Sequence, residues 1–309
     1  MACVALMSVI SCHADGGNSS TRPPTRVRLV TGPIGGGSLP LGEEIAHALR
    51  QGLKDVAIET IHSAGAVSNI HAIQRGHAEM ALTFADVAYL SFSGQLTPGD
   101  PPLDQVRGIA VLQVTPVVLV VRPGLHARGP QDLRGRRVGV GPVGSGTAVT
   151  ASLILGAFGL GTNDLQIVSI GFEEGVTKLL SGDLDAMFDN AISRSKALRR
   201  AADGGARFVP IEGQAADRLR REHPFFRATL VAPELYGTAV RTIGVDGLLI
   251  CRSDLDTTLV YEVTKQLFAS LKTLGRGVLR SMEVKQAPAT PVPLHPGAAR
   301  FYRERELSR

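Results

Sequence analysis

The 309-residue sequence contains no tryptophan and only three cysteines, and it lacks the compact motifs that mark several protein classes. Its eight histidines show no H-x-x-x-H or H-E-x-x-H spacing, and no C-x-x-C pair occurs, so we expect no metal site. It has no basic stripe interleaved with aromatic residues, which argues against nucleic-acid binding. Beyond the N-terminus, no apolar run approaches the ~18 residues needed to cross a bilayer.

Enzyme motifs are also missing. Gly32–Ser38 and Gly141–Thr147 have the spacing of a Walker A loop but lack its lysine, and neither fits the G-x-G-x-x-G register. The nucleophile-elbow pattern G-x-S-x-G does not occur. We therefore predict that the chain is not an enzyme and has no cofactor, with an anion-dependent transferase as the remaining enzymatic alternative.

Composition indicates an ordinary globular chain, with 44% hydrophobic and 20% charged residues. Its length favours two lobes over one. The net charge of +5 comes from scattered arginines with clusters at Arg199–Arg200 and Arg218–Arg221. These clusters fit a solvated surface, with docking on an acidic partner or anionic lipid as the alternative.

The N-terminus resembles an export signal, because the apolar run Ala2–Ile10 is followed by a polar stretch that reaches Thr25. Val9–Cys12 is similar to a lipobox, which makes Cys12 a candidate lipid anchor and places the protein outside the cytoplasm. A disordered N-terminal tail is the alternative. Cys251 stands alone in the body of the chain and is predicted to be a buried apolar residue.

What the chain does contain is a duplicated loop. Gly32-Pro33-Ile34-Gly35-Gly36-Gly37-Ser38 is echoed by Gly141-Pro142-Val143-Gly144-Ser145-Gly146-Thr147, and each follows a β-branched run and precedes a helical pattern. A second echo links Gly76–Ala81 with Gly182–Met187. These two repeats predict two similar α/β lobes.

Each loop suits an anion, because glycine lets a ligand approach the backbone and the N–H groups of a helix N-terminus lack intrahelical partners. Ser38 and Thr147 are predicted helix caps. An ordinary strand-to-helix turn is the alternative for either loop alone. The near-duplicate in a second lobe favours a ligand site at the lobe interface.

Alternating patterns predict parallel sheets flanked by helices. The predicted strands are 26–31, 57–62, 80–84, 104–114, 117–121, 138–141, 167–170, 186–189, 208–211 and 242–250. The predicted helices follow Pro40, cover 67–73, 148–158 and 173–180, and run over 257–274. Strands that cross between the lobes would form a hinge.

Seven ordered motifs between about Val27 and Glu304 resemble the TAXI family, the solute receptors of tripartite ATP-independent periplasmic (TRAP) transporters. The motifs are Gly32-x-x-Gly-Gly, Ala64–Asn69, Asp86–Tyr89, Asp132-Leu133-x-Gly135-x-Arg137-Val138, Gly141–Thr147, Asp185-Ala186-x-Phe188 and Leu294–Ala298. The resemblance implies a two-lobed periplasmic binding-protein fold of type II with an inter-lobe cleft. It also implies a monomer without catalytic activity that delivers a small anionic solute to TRAP permease subunits. The same fold acting as the sensor of a signalling system is the alternative.

We predict a leader and linker over 1–25, a first lobe from 26–115 plus 242–309, and a second lobe from 116–241. Asp86 and Asp189 are predicted to end equivalent strands, and a helix cap is the alternative role for each. From the residues themselves, we place the solute between the glycine loops, with Asp86 or Asp189 pairing with an ammonium group. That combination predicts a glutamate-like amino acid or related carboxylate. The predicted ligand-binding residues are Gly35, Gly36, Gly37, Ser38, Asn69, Asp86, Ser145, Gly146, Thr147, Phe188 and Asp189.

Overall fold

The computed structural model describes residues 24–34, 36–190, 195–271 and 282–307. The candidate lipid anchor Cys12 and the predicted ligand-binding residue Gly35 lie outside the described residues, as does most of the predicted leader. The strands are β1 (Thr25–Val30), β2 (Val56–Ile61), β3 (Met80–Phe84), β4 (Val106–Val121), β5 (Arg137–Gly139), β6 (Gln166–Val168), β7 (Ala186–Asn190), β8 (Arg207–Val209), β9 (Phe226–Val231) and β10 (Val240–Arg252). The helices are α1 (Ser38–Gly52), α2 (Ala66–Gln74), α3 (Ala85–Phe92), α4 (Gly146–Ala157), α5 (Phe172–Ser181), α6 (Lys196–Asp203), α7 (Gln214–Glu222), α8 (Pro233–Tyr236), α9 (Thr257–Ser270) and α10 (Pro296–Leu307).

Two groups of parallel strands are joined by two long antiparallel strands. Strands β2, β1 and β3 form the first parallel group, and β6, β5 and β7 form the second. Strand β10 pairs antiparallel with β3, β4 and β9, while β4 also pairs antiparallel with β7 and β8. The order along the sheet path is β2-β1-β3-β10-β4-β7-β5-β6. This two-lobed α/β arrangement confirms the predicted fold class.

Strand β4 corrects the prediction of two separate strands over 104–114 and 117–121. It is one strand in which Pro116 lies opposite Gly244 of β10, and from Val117 to Val121 it pairs with β7. Proline cannot donate a ladder hydrogen bond, so the sequence there looks like an interruption. The interruption marks a change of pairing partner within a continuous strand. The predicted lobe boundaries fall inside β4 and β10, and the division itself stays a prediction.

The similarity between Gly76–Ala81 and Gly182–Met187 corresponds to an equivalent arginine contact in each lobe. In the first lobe the Arg28 guanidinium binds the Glu79 carboxylate at 2.6 Å and the Gly76 carbonyl at 3.0 Å. In the second lobe the Arg137 guanidinium binds Asp185 at 3.0 Å and the Gly182 carbonyl at 2.6 Å. In each lobe an arginine of one strand, β1 or β5, therefore holds the turn that leads into β3 or β7 by hydrogen bonds.

Helix α1 shows how the predicted pattern is buried. Leu41, Ile45 and Leu49 recur at helical spacing, and all three are at most 3% exposed, in a core shared with α9, α10 and the first parallel group. Cys251 lies in the same core and is fully buried, as predicted, and burial raises the pKa of its thiol. The largest apolar cluster extends through both lobes and contains Phe188.

Candidate functional site

The two lobes meet where the second glycine loop touches the start of α2. The Gly144 carbonyl accepts hydrogen bonds from the backbone N–H groups of Val67 at 3.1 Å and Ser68 at 3.3 Å. These two N–H groups belong to the first turn of α2, where intrahelical partners are missing. A carbonyl of the second lobe therefore occupies donors that an anion could otherwise use.

Glycine is required at this contact because the two backbones approach closely. A Cβ atom on Gly65 would lie 2.9 Å from the Ser145 Cα atom, and Gly65 also has φ of 133°. A Cβ atom on Gly146 would lie 2.5 Å from Cδ2 of Phe84 and 2.9 Å from Cβ of Ala66. The glycines of the second loop therefore permit lobe-to-lobe packing in addition to any role toward a solute.

The first glycine loop lies on the other side of the same segment. The Ser63 N–H donates to the Gly32 carbonyl at 3.4 Å, so the chain from Ser63 to Ser68 runs between the two loops. The Gly36 N–H donates to Pro33 within its own turn at 3.0 Å. Both loops contact the Ser63–Ser68 segment, which separates them along this contact.

The predicted caps are wrong by one or two residues. Gly37 is the N-cap of α1 and Ser145 is the N-cap of α4, and neither helix start has a side-chain capping bond. Ser38 and Thr147 instead lie inside the first turns of these helices. Among the described residues, the buried Ser145 hydroxyl has no hydrogen-bond partner. A group that entered the interface could accept a hydrogen bond from it.

A chain of buried polar groups crosses between the lobes next to these loops. The Thr150 hydroxyl of α4 donates to the Asp86 carboxylate of α3 at 2.6 Å, and the Asn190 amide donates to Thr150 at 2.9 Å. The second Asp86 oxygen accepts from the Val87 N–H at 2.8 Å. Burial raises the pKa of Asp86 to about 6 despite these hydrogen bonds. Asp86 lies in the first turn of α3, and not at the predicted strand end.

Asp189 lies on β7, beside Asn190, and is 7% exposed. Burial raises the pKa of its carboxyl group to about 7. Within the described part of the chain, no hydrogen-bond donor to this carboxylate is present. Its neighbour Phe188 is fully buried in the large apolar core, a position that fits packing better than contact with a solute.

Asn69 is held inside the first lobe. Its Nδ2 atom donates to the carbonyls of Thr31 and Leu82, both at 2.6 Å, so both amide hydrogens are used. The Oδ1 atom has no partner among the described residues. In this arrangement the side chain ties the end of β1 to β3 and has no hydrogen left to donate to a solute.

The two strands that join the lobes, β4 and β10, contribute polar residues that the sequence patterns did not reveal. A small cavity of about 10 Å³ between the α1 start and β4 is lined in part by Ser38, Thr83, Gln113, Thr115 and Gly247. The Thr115 hydroxyl is fully buried and lacks a partner among the described residues. In a sequence, a threonine within a strand pattern indicates β propensity alone. Thr115 becomes a candidate site residue only because the fold places it opposite the start of α1.

The described residues include neither a metal site nor a membrane span. No group of three or more His, Cys, Asp or Glu side chains there is arranged to hold a metal ion. None of the described helices combines the length and apolar character that a membrane span requires.

Comparison with known proteins gives a family and a fold. A model of the NMT1-like family matches residues 29–305 and does not specifically indicate the TAXI family. The alkanesulfonate-binding protein SsuA from Xanthomonas axonopodis pv. citri, bound to MOPS, has 16% identity and a TM-score of 0.54 over 92% of this chain and 85% of its own. A structure described as a periplasmic transporter has 16% identity and a TM-score of 0.56, over 92% and 94%. An ancestral arginine-binding protein bound to arginine has 15% identity and a TM-score of 0.50, over 92% and 99%. At these identities the structures show a shared periplasmic binding-protein fold.

Proposed function

The chain belongs to the NMT1-like family, and from this and its lobe interface we propose that it is an extracytoplasmic receptor that captures a small solute. The observation that supports this proposal most directly is a set of buried polar atoms, on strand β4 and at the lobe interface, without partners among the described residues. They are the hydroxyls of Thr115 and Ser145 and the amide oxygen of Asn190. Buried polar groups are normally hydrogen-bonded, so a solute that bonds to them would stabilise the closed lobes.

The charge pattern supports a zwitterionic solute. The starts of α1 and α4 carry partial positive charge, and the Ser38 and Ser145 hydroxyls lie in their first turn and cap positions. An anionic group of the solute would bind there. Asp189 would pair with a cationic group, because it is buried without a donor among the described residues. A dicarboxylate would be repelled by the two buried carboxylates, Asp86 and Asp189.

The anionic group of the solute is a carboxylate or a sulfonate. The TAXI resemblance favours a glutamate-like acid, whereas the relatives of the same fold include proteins described as binding alkanesulfonate and arginine. We propose an amino acid or an aminosulfonate as the solute class. The resemblance also supports a TRAP-type, ion-gradient-driven permease as the partner that receives the solute.

A thermal-shift screen tests the function. Glutamate, arginine, taurine, ethanesulfonate and succinate would be added separately to the purified protein, because a ligand bound only by the folded state raises the melting temperature by mass action. We expect a shift with one or more zwitterions and none with succinate. Gly36→Val and Gly146→Val should abolish that shift while the circular dichroism spectrum is retained.

Two results would contradict the proposal. Normal solute binding by both glycine variants would mean that the solute binds elsewhere. Chemical turnover of a bound compound would mean that the protein is an enzyme. Uptake into vesicles that contain a TRAP permease would separate transport from a sensory role, because a sensor does not drive accumulation.

A further inference from the structure

A second cavity lies in the second lobe, on the far side of α4 from the lobe interface contacts of Thr150. Its volume is about 240 Å³. Its buried wall consists of the apolar residues Val140, Leu155, Leu160 and Leu165, which are at most 9% exposed. Ile167 of the edge strand β6 is 42% exposed and lines the same cavity. The cavity is therefore apolar inside and accessible from one side.

The polar side chains that line this cavity are hydroxyl side chains at its exposed rim. Ser152 of α4, Thr162 and Ser169 contribute them, and all three residues are exposed. The lining residues include no charged side chain. An ionic ligand would lose hydration here without gaining a counter-charge, whereas a neutral ligand with one hydroxyl would find both an apolar wall and hydrogen-bonding partners.

The volume sets the size of the ligand. An engineered apolar cavity of about 150 Å³ in another protein stays dry and binds benzene. A cavity of about 240 Å³ therefore accommodates a single ring with a short polar substituent. We propose that this cavity is a binding site for a neutral, apolar small molecule that carries a hydroxyl group.

The position of the cavity is separate from the solute region but connected to it through the backbone. Val140 directly precedes the second glycine loop, and Ala148 follows it in the first turn of α4. Both residues line the cavity. The proposal does not depend on the proposed solute or on transport, because the ligand contacts only residues of the second lobe.

The test uses benzyl alcohol as the probe and benzoate as its charged counterpart, with amide NMR of the isotope-labelled protein as the readout. We expect saturable shifts from benzyl alcohol at Val140, Ala148 and Ile167, and none from benzoate at those positions. Ala148→Leu fills the cavity and should abolish the response. Ser152→Ala removes a rim hydroxyl and should weaken binding about fivefold, the loss expected for one hydrogen bond.

Thr177→Leu is the matched control, because it adds an exposed leucine to α5 in the same lobe without touching the cavity. This variant should bind benzyl alcohol like the parent protein. The proposal is overturned by non-saturable shifts, by an equal response to benzoate, or by shifts confined to other regions. If Ala148→Leu does not fold, unchanged affinity in Ser152→Ala overturns the proposed hydroxyl contact and its ligand class.

Discussion

Substituting Gly146 by alanine should separate the lobes. The added Cβ would lie 2.5 Å from the Phe84 ring and 2.9 Å from the Ala66 methyl group, whereas ordinary contacts fall at 3.4–4 Å. Both neighbours belong to the first lobe and are buried, at 7% and 6% exposure. The steric clash can therefore be removed only if packed side chains move or the lobe interface widens.

The expected magnitude follows from the cost of overpacking. Extra carbon atoms in a packed region typically cost about 1–3 kcal/mol. Since the clash exists only when the lobes touch, this cost acts on closure, and about 1.4 kcal/mol corresponds to a tenfold change in an equilibrium. We expect the closed population, and the affinity for any solute that requires closure, to fall roughly 5- to 150-fold.

Small-angle X-ray scattering and solute titration measure this effect. Gly156→Ala is the control, because it is in the same helix, α4, and a Cβ there meets no atom within 4 Å. That variant should gain about 0.5–1 kcal/mol of stability, the usual effect of replacing a helical glycine. Equal radius of gyration, melting temperature and solute affinity in Gly146→Ala and Gly156→Ala would refute a role of Gly146 in lobe contact.

Two further predictions concern buried carboxylates. Hydrogen bonds from Arg137 and Arg122 hold the pKa of Asp185 well below its usual range, so Asp185→Asn should lose about 2–3 kcal/mol at pH 7. The loss should be smaller at pH 3, because the stability that the ionised carboxylate contributes decreases as the pH falls from the unfolded-state pKa, about 4, toward the lowered pKa of the folded state. Urea denaturation at both pH values checks this, and an equal loss in the exposed control Asp100→Asn would contradict it. Burial raises the pKa of Asp86 to about 6, so between about pH 4 and 6 the folded state keeps a proton that the unfolded state releases. The free energy of unfolding therefore falls by about 3 kcal/mol as the pH rises through that range. Asp86→Asn should match the parent protein at pH 4 and exceed its stability at pH 8, and the opposite order would refute the assignment.

Periodic elements were predictable from the sequence, whereas contacts between distant segments were not. β3 has the predicted bounds, and α5 ends at Gly182, which adopts a left-handed conformation as the sequence indicates. Helix α3 was missed, because it follows β3 directly and no turn residue separates the two elements. Helices α6 and α7 were also missed, since their arginine clusters indicated only a charged surface.

The site shows the same limit. The glycine loops are visible in the sequence, but the bond from α2 to Gly144 joins residues that no local pattern relates. Thr115 is equally hidden, because its hydroxyl gains significance only from its burial near the start of α1. The repeated motif therefore predicts where the candidate site lies, whereas the hydrogen bonds made there depend on segments that are distant in the sequence.

Asp86 and Asp189 differ in what they can offer a solute. Both oxygens of Asp86 accept hydrogen bonds, from Thr150 and from the Val87 N–H, so this carboxylate already has partners. Asp189 is buried without a donor among the described residues, and burial raises its pKa to about 7. A cationic group placed against Asp189 would offset the cost of burying its charge, and this gain is available only when the cleft contains the solute. Under the proposed function, Asp189 thus favours closure around a zwitterion over closure of an empty cleft, because a ligand shifts a conformational equilibrium by its difference in affinity for the two states.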